Sequence, residues 1–283
     1  MSENKKIIFK IRDLTLNIFD FYGNKSQRIS YGSFDIRGGD FVIIKGRNGS
    51  GKSTLFHLLA LTETGYFNIE SGSVVYNAEG FPDTSIDKYG DALASALRRD
   101  IVYIGQEERF LSWHSAYDAL YSQAEIAVNE KYSGQTRARK LYEIHKLIEG
   151  YFNDYIREIF KCKDFKEFRK RKVTSFSGGQ MKMLSVLSGI IKAKVCESSI
   201  IIMDEPLNNL DGKNKYYLNK IFSEFRNENV AMLIITHCQI FDGINRVINI
   251  TDQRAGEVKA EITDICVPPH SDCLEAFVID EKA

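Results

Sequence analysis

The nine residues Gly46-Arg47-Asn48-Gly49-Ser50-Gly51-Lys52-Ser53-Thr54 limit what this chain can fold into more than any other feature of its 283 residues. They spell G-x-x-x-x-G-K-[ST], a loop whose glycines let backbone N–H groups curl around phosphate oxygens without Cβ clashes. Such a loop needs a strand behind it and a helix ahead whose positive end faces the same oxygens. Both are legible: Phe41-Val42-Ile43-Ile44 is a continuous apolar run, and Leu55, Leu58 and Leu59 recur at helical spacing. Lys52 brings a mobile charge to the β and γ phosphates of a nucleotide. Ser53 offers a hydroxyl to Mg2+, a hard cation that prefers oxygen.

Three further continuous runs, Ile101-Val102-Tyr103-Ile104, Ile200-Ile201-Ile202-Met203 and Ala231-Met232-Leu233-Ile234-Ile235, suit strands buried on both faces of a parallel sheet. Ile7 to Ile18, Ser33-Phe34-Asp35-Ile36 and Ser73-Val74-Val75-Tyr76 instead alternate apolar and polar residues, which predicts antiparallel strands with one wetter face. Between Gln106 and Ser177 there is no β-like run. From Arg137 to Phe160, Leu141, Ile144, Ile148, Phe152, Tyr155 and Ile159 draw one apolar stripe, which predicts an amphipathic helix. The last strands are expected at Val247-Ile248-Asn249-Ile250 and Val258 to Ile262, with a turn near Gly256. The expected fold is α/β: a P-loop NTPase core with a mixed sheet, an N-terminal antiparallel β layer and an inserted α-helical subdomain. A single domain is expected over residues 1–265, with the helical subdomain at about 107–176. A short tail follows over 266–283, where Pro268-Pro269 argues for irregular structure.

Composition narrows the function. The 38 Lys+Arg balance the 38 Asp+Glu, which argues against a surface built as an electrostatic trap, so nucleic acid is not an expected partner. The longest purely apolar run, Val230 to Ile235, is far short of the roughly 20 residues that span a bilayer, so no direct membrane insertion is expected. Ser2-Glu3-Asn4-Lys5-Lys6 is followed by no apolar leader. The five cysteines, Cys162, Cys196, Cys238, Cys266 and Cys273, are odd in number and lie mostly in segments that read as helix or strand, which fits a reduced, cytosolic compartment.

Two more motifs carry chemistry. The strand Ile200-Ile201-Ile202-Met203 ends in Asp204-Glu205-Pro206, at the strand end where open α/β sheets place ligands. Asp204 can hold Mg2+ through water, and Glu205 can polarise or deprotonate an attacking water. Ser175-Phe176-Ser177-Gly178-Gly179-Gln180 precedes the helical pattern Met181 to Ile191, with Ser177 as N-cap and two glycines exposing N–H groups at a positive helix end. A second anion site on one chain, set apart from the first by a helical subdomain, suggests that two copies share one nucleotide.

Taken together these motifs resemble the ATP-binding cassette (ABC) ATPases, over nearly the whole chain from about Ile7 to Ile262. Gly46 to Thr54 is similar to the family's Walker A loop, Met203-Asp204-Glu205 to the Walker B end with its catalytic glutamate, and Phe176-Ser177-Gly178-Gly179-Gln180 to the L-S-G-G-Q signature. The resemblance implies further roles: Gln106 as the Q-loop glutamine touching Mg2+ and the attacking water, and Asn209-Leu210-Asp211 as the D-loop. It likewise implies Thr236-His237 as the switch region contacting the γ-phosphate, and Tyr22 as the aromatic that stacks on adenine, with Phe21 and Tyr31 nearby. The chain departs from the common pattern at Phe176 (usually leucine), at Met181 and Met183 (usually basic or polar) and at Asn208-Asn209 (usually Ser-Ala). None of these changes removes a catalytic group.

The same resemblance implies a mechanism and partners. Two cassettes, in a homo- or heterodimer, close head to tail over two ATP molecules, each held by the phosphate loop of one chain and Ser177 to Gln180 of the other. Glu205, His237, Gln106 and Lys52 would do the chemistry; Ser53, Gln106 and Asp204 would hold Mg2+; Asp211 would lie against the nucleotide. The implied role is the ATPase subunit of a transporter, cytoplasmic and peripheral at the inner face of the cell membrane through a separate permease. The segment Glu107 to His114, with Phe110 and Trp113, would help receive a helix of that permease. The alternative is a soluble non-transport cassette ATPase, for example of the iron–sulfur cluster assembly type. His57, His114, His145 and His270 read as surface or core histidines. The basic run Lys161 to Lys172 reads as a solvated helical face, or a dock for a partner or an anionic surface. Cys266, His270 and Cys273 make a poor metal site.

Overall fold

The computed structural model describes residues 6–78, 81–86, 90–107, 110–208, 210–225, 229–236, 241, 243–252 and 257–263. One ten-stranded sheet organises them, in the order β5-β4-β1-β2-β10-β9-β3-β8-β7-β6. Here β1 is Ile7–Phe19, β2 Lys25–Arg37, β3 Phe41–Gly46, β4 Phe67–Ala78 and β5 Phe81–Ser85. The remaining strands are β6 Ile101–Ile104, β7 Ile200–Asp204, β8 Ala231–Ile235, β9 Arg246–Asp252 and β10 Glu257–Thr263. β3, β8, β7 and β6 run parallel, while β1, β2, β4 and β5 form the antiparallel wing. β9 and β10 join the two, since β10 is antiparallel to β9 but parallel to β2. The two kinds of apolar pattern in the sequence therefore correspond to two kinds of pairing in one sheet.

The continuous runs are continuous because they serve two cores. Val42 and Ile44 point into one cluster with Leu55, Phe56 and Leu59 of α1 (Lys52–Ala60); Phe41 and Ile43 point into the other, with the helices of the opposite face. In β7, Ile200 and Ile202 face the first cluster and Ile201 and Met203 the second. The alternating strands bury one set only, and β2 changes phase midway. Ile29 and Tyr31 are buried, then Phe34 and Ile36. The pairing with β1 is irregular around Leu14 and Gly32, where a bulge turns the next side chains back to the core.

Helices α2 (Asp91–Asp100), α3 (Ala116–Lys131), α4 (Gly134–Tyr151), α5 (Arg157–Phe160), α6 (Phe165–Lys170), α7 (Gly178–Cys196) and α8 (Gly212–Glu224) complete the fold. The segment carrying α3 to α6 leaves and returns through one neck, where Ala116 N donates to Arg171 O (2.7 Å) and Val173 N to His114 O (3.1 Å). The single helix predicted over Arg137 to Phe160 is α4, a π turn over Phe152–Ile156, and α5. The reason lies in the stripe. Its buried members Ile144, Ile148, Phe152, Ile156 and Phe160 step by four, and in a regular α-helix each such step swings the stripe by about 40°. The wider π turn takes up that drift and buries Ile156 in place of the predicted Tyr155.

Candidate active site

The loop after β3 is held in shape from beneath. Gly51, the residue before α1, has φ +87°, and a Cβ there would lie 2.3 Å from Ile29 Cδ1 and 2.7 Å from Tyr31 Oη. Tyr31 is fully buried and donates its hydroxyl to Gly51 O at 2.7 Å. Gln27 Nε2 donates to Gly49 O at 3.3 Å, so β2 props the loop twice. Gly51→Ala combines a left-handed backbone with a clash. It is expected to cost about 2–4 kcal/mol of stability, read as a lower urea midpoint at unchanged m-value, and to cost ATP affinity as the loop shifts.

The Lys52 side chain folds across this loop, donating to Gly46 O at 2.9 Å and Arg47 O at 2.8 Å. Burial pushes its pKa below the ordinary lysine range, while the Glu205 and Asp204 carboxylates pull the other way. No side chain caps α1, so its first N–H groups are available to a ligand. Ser50 Oγ is buried with no hydrogen-bond partner among the described residues, and such an orphaned polar atom calls for one. Arg47, Asn48 and Gly49 are exposed at the loop's rim, and Thr54 is buried on α1. These features fit a bound polyphosphate.

The carboxylates arrive from β7. Asp204 is 4% exposed; burial raises its pKa, offset by a hydrogen bond from Ser53. Glu205 sits in the left-handed region, φ 50°, a conformation that costs a non-glycine residue about 1–2 kcal/mol and persists only where its surroundings enforce it. Here Glu205 N donates to Ile235 O at 3.0 Å. Its Oε2 accepts from Asn208 Nδ2 and, at 3.4 Å, from Gln106 Nε2 on the loop after β6. Three parallel strands, β3, β7 and β6, thus bring Lys52, Ser53, Asp204, Glu205 and Gln106 together. Ser53, which hydrogen-bonds Asp204, and Gln106 line the same cavity as Asp204, and the hydroxyl, amide and carboxylate oxygens these three residues carry are hard donors of the kind that hold Mg2+ jointly with phosphates. Among the described residues no three His, Cys, Asp or Glu side chains gather as a metal cluster, and Mg2+ of this kind requires none.

Other expected site residues are placed as follows. Tyr22 is 86% exposed in the turn between β1 and β2, edge-on to Phe21, whereas nearby Tyr31 lies under the loop. Asp211 is the N-cap of α8, accepting from Asn214 N at 2.8 Å. His237 and Asn209 lie outside the described residues, as do Cys238, Gly256, Cys266, His270 and Cys273. Ser177 caps α7 in a reciprocal box with Gln180, and Gln180 Nε2 donates to Ile159 O at 3.1 Å. Ser177 and Gly178 are exposed; among the described residues no hydrogen bond joins this turn to the phosphate loop. Arg171, at the end of the basic run, points inward: it donates to Phe160 O (2.7 Å) and Ser175 Oγ (3.1 Å) and stacks on the Phe176 ring at 4.5 Å. It braces the residue that replaces the usual leucine. Trp113 is 65% exposed, and Phe110 packs partly against the core.

Two residues of this region have no functional role in the sequence pattern: Lys182, and His57, which reads there as a surface or core histidine. His57 lies one helical turn after Ser53 on α1, an i, i+4 relation that puts both on one face. Its ring nitrogens pair with Tyr66 Oη (2.8 Å) and Tyr103 Oη (3.0 Å). With Ser53, Asp204, Gln106, Tyr103 and Gln123 it lines a cavity of about 420 Å³. Lys182, buried on α7, donates to the main chain at Gly105 and Gln106.

A family model described as ABC transporter matches residues 30–208, well over half of the chain. The lipoprotein-releasing system ATP-binding protein LolD of Buchnera aphidicola is 29% identical over 239 residues, covering 83% of this chain and 89% of that protein. A putative ABC transporter ATP-binding protein of Bifidobacterium longum is 28% identical over 251 residues, 84% of this chain but 30% of its own length. The macrolide export ATP-binding/permease protein MacB of Mannheimia succiniciproducens is 28% identical over 221 residues, 78% of this chain and 30% of its own. The chain spans about 30% of the length of these last two relatives. Among solved structures, an ATP-binding cassette captured as a dimer in a post-hydrolysis state with ADP and Pi superposes with a TM-score of 0.62 at 21% identity, over 90% of this chain and 98% of that one. The cbiO1 protein of Clostridium perfringens, part of the ABC transporter complex cbiONQ, gives 0.61 at 19% identity, over 98% and 93%. The fold is therefore that of an ABC ATPase domain.

Proposed function

The chain belongs to the ABC transporter family of ATP-binding domains, and from that premise we propose that it is an Mg2+-dependent ATPase subunit driving a permease carried on a separate polypeptide. The observation that carries the reading is the meeting, at one end of the parallel strands, of the Lys52 loop, the Ser53–Asp204 pair and the Glu205–Gln106 pair. Named relatives serve lipoprotein release, export and uptake, which supports a shared motor rather than a shared cargo. Among the described residues no helix is long and apolar enough to cross a membrane, which fits a peripheral place at the inner face.

Two such chains close head to tail, each ATP lying between the phosphate loop of one and Ser177 to Gln180 of the other. Lys52 and the N–H groups at the start of α1 bind the β and γ phosphates and stabilise charge on the γ oxygens as the bond to the bridging oxygen breaks. Glu205 orients the attacking water and takes its proton; Gln106 holds the Glu205 carboxylate in place. Mg2+, when bound through Ser53, Asp204 and Gln106, neutralises phosphate charge. Tyr22 stacks on adenine, and His237 and Asp211 complete the site. Loss of the γ-phosphate removes the bridge and opens the dimer, a ligand-biased two-state change that is the working stroke.

Tagged Glu205→Gln protein, incubated with ATP and recovered from detergent-solubilised native membranes, is expected to bring down a polytopic membrane protein in stoichiometric amount, identified by mass spectrometry. Recovery with soluble chains only would overturn the transporter reading in favour of a cytosolic cassette ATPase.

A further inference from the structure

Lys182 is 1% exposed, among the largest fully buried side chains described. A buried ammonium is costly unless it is met by acceptors, and this one donates to Gly105 O at 3.0 Å and Gln106 O at 2.8 Å. The charge also acts on Asp204, favouring its ionised form.

The geometry gives this lysine two ends of different function. It stands two residues beyond Gln180, about 200° further around the helix. The first turn of α7 is thus gripped on two sides: Gln180 reaches back to Ser177 and Ile159, and Lys182 reaches across to the loop after β6. The carbonyls it holds belong to the residue whose side chain touches Glu205 and to the residue before it. In the dimer described above, Gln106 faces the nucleotide of its own chain while Ser177 and Gly178 face that of the partner. We propose that Lys182 is a positioning residue, a strut that fixes Gln106 relative to the signature turn and so couples the two ATP sites of the dimer; the inference rests on the dimeric ATPase reading. A hydrogen-bonded link between two elements that face different nucleotides is one route by which the state of one site biases the other.

The test compares full-length wild type, Lys182→Met and Lys182→Arg. Affinity is measured with a fluorescent ATP analogue and turnover as a function of ATP concentration with Mg2+. For Lys182→Met the analogue affinity is expected to stay within about 3-fold, while kcat falls by about 10- to 100-fold through misplacement of Gln106. Its Hill coefficient falls from above 1 to 1. Lys182→Arg, which also presents two donors, recovers most of both. Wild-type kcat and Hill coefficient in Lys182→Met would overturn the strut, as would loss of affinity and turnover together with no rescue by arginine, the mark of a packing role.

Hydrogen exchange with ATP-γ-S reads the link without turnover. The nucleotide is expected to slow exchange over both 103–107 and 177–184 in wild type, and only over 103–107 in Lys182→Met. Identical slowing in both proteins would overturn the strut. A wild type whose exchange follows this pattern but which fails to hydrolyse ATP would overturn the ATPase reading instead.

Discussion

Glu205→Gln is expected to bind ATP as tightly as the wild type and to hydrolyse it about 10²- to 10⁴-fold more slowly, the usual contribution of a positioned general base. The substitution is nearly isosteric. Gln106 Nε2 and Asn208 Nδ2 both donate to Glu205 Oε2, and the amide oxygen of a glutamine can accept from both. The backbone bond from Glu205 N to Ile235 O is untouched, so the left-handed turn that aims the side chain survives. What is lost is the ability to take a proton from water. ATP then persists between the two chains, and the variant is expected to elute as a dimer in size-exclusion chromatography with ATP and Mg2+, and as a monomer without. Wild-type turnover in this variant would move the base elsewhere in the site. Asp204 would be a weak substitute, since it is bonded to Ser53 and buried.

How much of this was legible in the sequence depends on whether a residue's role is local. The phosphate loop was legible because spacing, lysine, hydroxyl and flanking elements all lie within a short stretch, and β3 and α1 fall where they were expected. The parallel strands were legible because burial on both faces leaves a run with no polar interruption. β5 and α2 were not anticipated: Phe81–Ser85 is a short edge strand containing Pro82, and edge pairing leaves little periodic signal. The supports of the site were the least legible. Tyr31 read only as an aromatic near Tyr22, yet the β1–β2 pairing puts its hydroxyl beneath Gly51. Lys182 was hidden for a statistical reason, since a lysine in a helical pattern is exposed by default. Only the packing of α7 against β6, where a Cβ on Gly189 would sit 2.5 Å from Ile104 Cδ1, brings the loop carbonyls within its reach. Side chains that touch the nucleotide come in motifs; side chains that hold the motifs in place come from anywhere in the fold.

Lys52→Ala is expected to fail at the earlier step, weakening ATP binding by about 10²-fold, equivalent to losing ~3 kcal/mol of charge-assisted contacts to phosphate. Two effects add. The cation that meets the phosphates is removed, and Gly46 O and Arg47 O lose the donor that draws the loop closed. Arginine is not expected to rescue, because at Lys52, unlike a lysine that meets carbonyls alone, one compact ammonium must serve the phosphates as well as two carbonyls of its own loop, and a larger planar guanidinium cannot do both. A pH titration separates charge from loop shape. Burial lowers the Lys52 pKa, and only the protonated form attracts phosphate. Wild-type affinity therefore declines as pH rises through a value below the ordinary lysine range, whereas Lys52→Met shows a low affinity with no such decline. The decline is a property of the charge and the weak baseline a property of the loop, so isothermal titration of the two proteins against ATP across that pH range measures each. Affinity retained in Lys52→Ala would take the phosphates out of this loop, and the roles of Ser53, Asp204 and Glu205 would have to be rebuilt around a different anion site.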